Sequence, residues 1–91
     1  MYKIRTTNRF EKSLKQCLKR GYNPLLFKNV IELLEEKGSL PIKYKPHKLS
    51  GQYFGLWECH IAPDWLLIWK QDDKELTLLL TDTGTHSDLF S

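Results

Sequence analysis

The chain reads as an α+β domain, a β-α-α-β-β-β order in which a mainly antiparallel twisted sheet is covered on one face by a helical hairpin, with a short C-terminal helix. Three observations predict it. Two amphipathic helical stretches with start and stop signals fill the first half, three alternating runs separated by turn residues fill the second, and a short alternating run precedes the first helix.

The elements follow in order. Tyr2 to Thr6 alternates apolar and basic residues, as a strand does. Asn8 with Glu11 three residues later is a capping-box variant, and Phe10, Leu14, Cys17 and Leu18 then recur at helical spacing until Gly21. Asn23 caps a second helix with Pro24 at its first position; Leu26, Phe27, Val30, Ile31, Leu33 and Leu34 form its apolar stripe, and Gly38 and Pro41 end it. The short joint between the helices predicts an antiparallel hairpin. Leu40 to Gly55 reads as a long basic loop holding His47 between Lys45 and Lys48. Trp57–Ile61, Trp65–Lys70 and Lys74–Thr81 read as strands, separated by Ala62-Pro63-Asp64 and Asp72-Asp73.

Side chains predict a register, because a slip of one residue turns every apolar group to the wrong face. A three-residue loop at Ala62 to Asp64 sets Ile61 opposite Trp65, Cys59 opposite Leu67 and Trp57 opposite Trp69. A two-residue Asp72-Asp73 turn sets Leu76 beside Trp69, Leu78 beside Leu67 and Leu80 beside Trp65. One face is then wholly apolar and suits the helices. The other carries Glu58, His60, Leu66, Ile68, Lys70, Thr77, Leu79 and Thr81, a mixture suited to binding.

Composition bounds the rest. With 91 residues, 41% of them apolar, there is material for one core, so residues 1–91 are expected to form a single domain. No run of about 18 apolar residues and no signal-peptide pattern occurs, which predicts a cytoplasmic protein without membrane contact. Cys17 and Cys59 lie inside apolar periodic segments and are expected to be buried, reduced thiols. The net charge of +3 conceals an asymmetry: up to Ser50 there are twelve Lys or Arg against four Glu, and beyond it two Lys against seven Asp or Glu. A basic first half suits a polyanion, either nucleic acid or an acidic protein segment, although lysines on a solvated helix face are the commoner explanation.

The three histidines, His47, His60 and His86, stand in the second half. In the predicted register Thr81-Asp82 lies beside the Pro63-Asp64 loop, with His60 one pair away on the open face. Gly84 permits a sharp turn, and Thr85 with Asp88 could cap a short terminal helix. His60, Asp64 and His86 can therefore converge, whereas periodicity does not place His47. Singly, each histidine is more often a solvated or structural group, Asp64 an ordinary turn residue and Phe90 a core plug. Together they allow two chemistries. A zinc-type site is one, but the spacing lacks a tight ligand signature and Lys45, Lys48 and Lys70 disfavour a cation, so no metal and no cofactor is expected. RNA phosphodiester cleavage is the other, since histidines and lysines supply base, acid and positive charge.

His47-Lys48-Leu49-Ser50-Gly51, Glu58-Cys59-His60-Ile61-Ala62-Pro63-Asp64-Trp65-Leu66-Leu67-Ile68-Trp69 and Thr83-Gly84-Thr85-His86-Ser87-Asp88-Leu89-Phe90 resemble the YafQ branch of the RelE/ParE toxin superfamily, in family order along the whole chain. The resemblance implies a RelE-like fold and the toxin of a type II toxin-antitoxin pair. Its implied activity is that of a ribosome-dependent mRNA endoribonuclease, which cuts messenger RNA in the A site by metal-independent transesterification, leaving a cyclic phosphate and a 5′-hydroxyl. It implies an antitoxin, usually a ribbon-helix-helix protein whose C-terminal part wraps the toxin. The positions matching the family's functional ones are His47, His60, Asp64, His86 and Phe90: His86 as general acid, His60 or Asp64 as base, His47 on the phosphate, Phe90 orienting a base or the terminal helix. One residue departs. Members tend to carry arginine just before Thr-Gly-Thr-His, where this chain has Asp82, a carboxylate that opposes charge on a phosphorane; either Lys45, Lys48 or Lys70 replaces that charge on the RNA, or catalysis is weak or differently specific. The alternatives are a ParE-like toxin, which poisons gyrase, cuts no RNA and has no need of the histidines, and a non-catalytic RNA- or protein-binding domain.

Overall fold

The computed structural model describes residues 1–90. Its elements are β1 (Lys3–Thr6), α1 (Asn8–Lys19), α2 (Pro24–Lys37), a 3-10 turn at Ile42–Tyr44, β2 (His47–Lys48), a second 3-10 turn at Gly51–Tyr53, β3 (Trp57–Ala62), β4 (Trp65–Asp72), β5 (Thr77–Gly84) and α3 (His86–Phe90). The five strands form one sheet in the order β1-β5-β4-β3-β2. Strand β1 runs parallel to β5 and the remaining pairs are antiparallel, so the sheet is mixed. The stretch expected to be loop from Leu40 to Gly55 holds the short edge strand β2 and both 3-10 turns.

Helix α1 is capped by Thr7, not by Asn8: the Thr7 hydroxyl accepts from the Phe10 amide at 3.0 Å. The Thr7 amide meanwhile donates to the Leu80 carbonyl at 3.1 Å, so the residue that starts the helix also ties it to β5. The choice of cap follows from this tie, because Thr7 is the last residue held by the sheet. Helix α2 starts as expected, with Asn23 accepting from Leu25 and Pro24 at the first position. Gly38 ends it at φ 66°, and a Cβ there would lie 2.3 Å from the Tyr2 ring. Both the left-handed backbone and the ring exclude a side chain.

In the β3–β4 hairpin, Trp57 faces Trp69 and Cys59 faces Leu67, as the alternation predicts. A bulge after His60 then sets Ala62 opposite Trp65, so Ile61 does not face Trp65 and the turn is Pro63-Asp64. The β4–β5 hairpin differs more. Leu80 faces Trp69 and Leu78 faces Gln71, while Leu76 lies outside the strand at φ 53° and is exposed. The Asp72 carboxylate accepts from the amides of Lys74 and Glu75, which lengthens the turn. Leu76, Leu78 and Leu80 alternate identically under a shift of two or four residues, so their pattern alone does not choose the register. A second irregularity between Ile68 and Trp69 leaves Thr81 over, after which Ile68 faces Asp82 and Leu66 faces Gly84.

The main core joins Phe10 and Cys17 of α1 and Val30 and Leu34 of α2 to Cys59, Ile61, Trp65, Leu67, Trp69, Leu78 and Leu80. Each fully buried aliphatic side chain contributes about 2 kcal/mol of transfer free energy. Both cysteines are buried and free, and burial pushes the Cys59 thiol up to about 12. The opposite face is not wholly open, as the alternation had suggested: Leu66 and Ile68 pack with Leu89 of α3, flanked by Leu49 and Leu56. No described helix is long and apolar enough to cross a membrane.

Candidate active site

The Pro63-Asp64 turn and the end of β5 bring His60, Asp64 and His86 together. The His86 ring Nδ1 lies 2.7 Å from Asp64 Oδ1, and the same oxygen accepts from the His86 backbone amide at 3.0 Å. His60 Nδ1 lies 3.3 Å from the Pro63 carbonyl oxygen, and the two imidazole centroids are 5.6 Å apart. Because carboxylate and carbonyl oxygens only accept, each ring donates from Nδ1. Each Nε2 is left without a protein partner among the described residues. The His86 hydrogen bonds hold the Asp64 carboxyl below the usual carboxylate range. Asp64 is thus an ionised group that orients His86, the arrangement by which a carboxylate fixes a histidine tautomer.

His47 stands one strand away. It pairs with Glu58 across β2 and β3, and Glu58 and His60, two residues apart, share a face. His47 Nδ1 lies 2.9 Å from the Lys45 carbonyl oxygen and Nε2 lies 3.2 Å from Glu58 Oε1. Glu58 is buried and its Oε2 has no hydrogen-bond partner among the described residues. A second histidine–carboxylate contact therefore flanks the first, and only a doubly protonated ring presents an N–H to both oxygens.

Helix α3 places His86. Thr85 and Asp88 cap reciprocally: the Asp88 amide donates to Thr85 Oγ1 at 3.1 Å, and the Thr85 amide donates to Asp88 Oδ2 at 2.9 Å. Arg20, the C-cap of α1, holds the same carboxylate through Nη1 at 2.6 Å and Nη2 at 3.3 Å, and its hydrogen bonds lower the Asp88 carboxyl to about 2. A folded-state value below the unfolded one, about 3.9, adds stability that is complete above that value and is lost as pH falls toward about 2. Asp88→Asn should therefore lower Tm at pH 6, with the gap to wild type closing between about pH 4 and pH 2. A gap unchanged at low pH would remove the Arg20–Asp88 link from α3 stability.

Of the other expected residues, Phe90 is exposed and its ring meets Tyr53 edge-on at 5.3 Å, while Leu89 does the packing. Lys45 lines a cavity of about 440 Å³ with His60. The Lys48 ammonium lies 5.6 Å from the Trp57 ring centroid. Lys70 sits at the far end of β4, around a cavity with Arg5 and Glu75, and does not join the histidines. Asp82 is occupied from α1: Arg9 Nε donates to Oδ2 at 3.0 Å and Ser13 Oγ to Oδ1 at 2.8 Å. Among the described residues no three His, Cys, Asp or Glu side chains group as metal ligands. The alternation of β3 set Glu58 beside His60 on the open face, yet its link to His47 needed strand β2. Tyr53, Arg9 and Arg20 left no sequence signal, since their partners lie tens of residues away.

Residues 2–91 match the family model described as the bacterial toxin of type II toxin-antitoxin system, YafQ. The mRNA interferase toxin YafQ of Escherichia coli K12 is 36% identical over 88 residues, covering 96% of this chain and 94% of the relative. The crystal structure of YafQ from E. coli BL21(DE3) superposes with a TM-score of 0.91 at 33% identity over the whole of both chains. YafQ in the E. coli DinJ-YafQ complex gives 0.89 at 34% identity, again over both full lengths. A metal-bound toxin from Helicobacter pylori gives 0.89 at 39%, over 99% of this chain and all of that one.

Proposed function

The chain belongs to the YafQ family of bacterial type II toxins, and from that premise we propose that it is an mRNA interferase, an endoribonuclease that cuts messenger RNA on the ribosome without a metal ion. The observation that carries this reading is the pair of imidazoles, 5.6 Å apart, each anchored at Nδ1 and each with an Nε2 that has no partner among the described residues. Two such nitrogens suit the two proton transfers of RNA transesterification.

In the proposed reaction His60 Nε2 takes the proton of the ribose 2′-hydroxyl. The 2′-oxygen attacks the phosphorus, the bond to the 5′-oxygen breaks, and protonated His86 Nε2 gives its proton to that leaving oxygen. The products are a 2′,3′-cyclic phosphate and a 5′-hydroxyl, and one proton has been taken up and one released. The division of labour follows the partners: the Asp64 carboxylate orients His86 through Nδ1, and His60 rests on a backbone carbonyl with Nε2 directed to the 2′-hydroxyl in the proposed complex. Asp64 positions His86 and does not exchange protons. His47, held between the Lys45 carbonyl and Glu58, is a further hydrogen-bonding group for the phosphate, and Lys45 and Lys48 bring positive charge toward the phosphorane. Phe90 and Tyr53 offer aromatic faces to a base of the strand.

A cognate antitoxin is the expected partner, as DinJ is for the E. coli relative, and we propose one of ribbon-helix-helix type whose acidic segment covers the basic half of the toxin. The site of action is the cytoplasm, where translating ribosomes are. Induction of the toxin without antitoxin, followed by mapping of messenger RNA ends, tests the reading. New 5′-hydroxyl ends within translated frames are expected. Purified toxin should also cut on programmed ribosomes after treatment with chelator, provided magnesium is restored before ribosomes are added. Ends bearing 5′-phosphate, or growth arrest with intact messages and damaged DNA, would overturn it.

A further inference from the structure

Apart from the histidines, the second apolar cluster leaves a cavity of about 220 Å³ floored by Leu56, Ile68 and Leu89 and walled by Tyr53, with Arg9 and Asp82 at its polar side. That volume is below the about 300–1,000 Å³ that encloses a drug-sized ligand, and suits a single planar ring. The Tyr53 ring meets Phe90, so the cavity is continuous with the aromatic end of α3, the helix that begins at His86.

Arg9 is the unusual member. Its side chain is 77% exposed, yet its Nε is pinned at 3.0 Å to Asp82, which is only 14% exposed. Asp82 also accepts from Ser13 Oγ and from the Thr83 amide, so three donors quench its charge. The two terminal nitrogens of Arg9 have no partner among the described residues. An exposed surface ion pair contributes little to stability, typically below about 1 kcal/mol. A guanidinium fixed through Nε presents a fork that matches two phosphate oxygens.

We propose that this cavity is a nucleotide subsite for the RNA strand, in which a base lies on the apolar floor beside Tyr53 and its phosphate is taken by Arg9, held in place by Asp82. The proposal rests on the RNA-cutting reading given above and supplies, from α1, a cation that Lys70 does not bring to the site. In this role Asp82 is a positioning residue; it supports the charge on the phosphate.

The test measures binding of a short single-stranded RNA oligonucleotide to protein carrying His86→Ala, across a range of salt, so that no cleavage intervenes. Adding Arg9→Ala should weaken binding about tenfold and reduce the steepness of log Kd against log salt by about 0.7, the value of one phosphate contact on a single strand. Arg9→Lys should restore the slope but not the affinity, because the ammonium lacks the fork. Asp82→Ala should weaken binding less than Arg9→Ala and leave the slope unchanged. Unaltered affinity and slope in Arg9→Ala, with Tm lowered, would make the pair a mere tie between α1 and β5 and overturn the subsite. Failure of the His86→Ala protein to bind the oligonucleotide at all would overturn it as well. Cleavage on ribosomes by the otherwise wild-type protein is scored separately, so loss of the catalytic reading is distinguishable from loss of the subsite.

Discussion

His86→Ala should lower ribosome-dependent cleavage by about 10²–10⁴-fold, the usual contribution of a positioned general acid, and should relieve growth arrest without unfolding the protein. The fold is expected to survive because the His86 side chain is 56% exposed and its removal opens no core cavity. Asp64 Oδ1 would also keep its bond from the residue 86 amide, so the start of α3 stays docked. Single-turnover cleavage on programmed ribosomes, with circular dichroism and Tm as controls, separates chemistry from stability. An equally toxic variant with normal cleavage would remove His86 from the mechanism and leave its contact with Asp64 as a helix anchor only.

Gly84→Ala should damage activity from a residue that bears no chemistry. Gly84 adopts φ 154°, which side chains rarely take, and an added Cβ would sit 2.9 Å from both Cβ and Oδ2 of Asp88. Asp88 has little freedom to retreat, since Arg20 holds it from one side and the Thr85 amide from the other. Either the β5 end or α3 must move, and His86 moves with it. A displacement on the order of 1 Å at a catalytic group reduces rate by about 100-fold, while the backbone strain costs about 1–3 kcal/mol. Cleavage rate together with amide NMR shifts confined to residues near α3 would establish the effect. Full activity with unchanged shifts would show that the turn adapts, and that α3 placement is not what limits the enzyme.

The main elements were legible because their signals are local. Asn23-Pro24 and Gly38 bounded α2, and the Trp57–Trp69 and Cys59–Leu67 pairs follow from a short turn between two alternating runs. The convergence of His60, Asp64 and the His86 turn was also readable, although the β4–β5 register used to reach it was shifted. It survived because His86 lies beyond the strand, and β5 simply runs on to Gly84 to deliver it. What escaped is what depends on distant partners. Thr7 replaced Asn8 as cap because β5 holds it, Glu58 met His47 through a strand of two residues, and Asp82, which stands where an arginine was expected, is engaged by Arg9. No period or spacing carries such information.

The parallel seam between β1 and β5 has a consequence for the order of assembly. Ile4 lies opposite Leu78, so the first strand made has no partner until almost the whole sheet has been synthesised. Closing so long a loop is slow compared with the local hairpins β3–β4 and β4–β5, which need only short turns. The basic strand β1 accordingly stays unpaired until β5 has formed, and His60, Asp64 and His86 come together only once β5 is in place to deliver α3. The seam that joins the first strand to the last is therefore among the latest contacts of the fold to form.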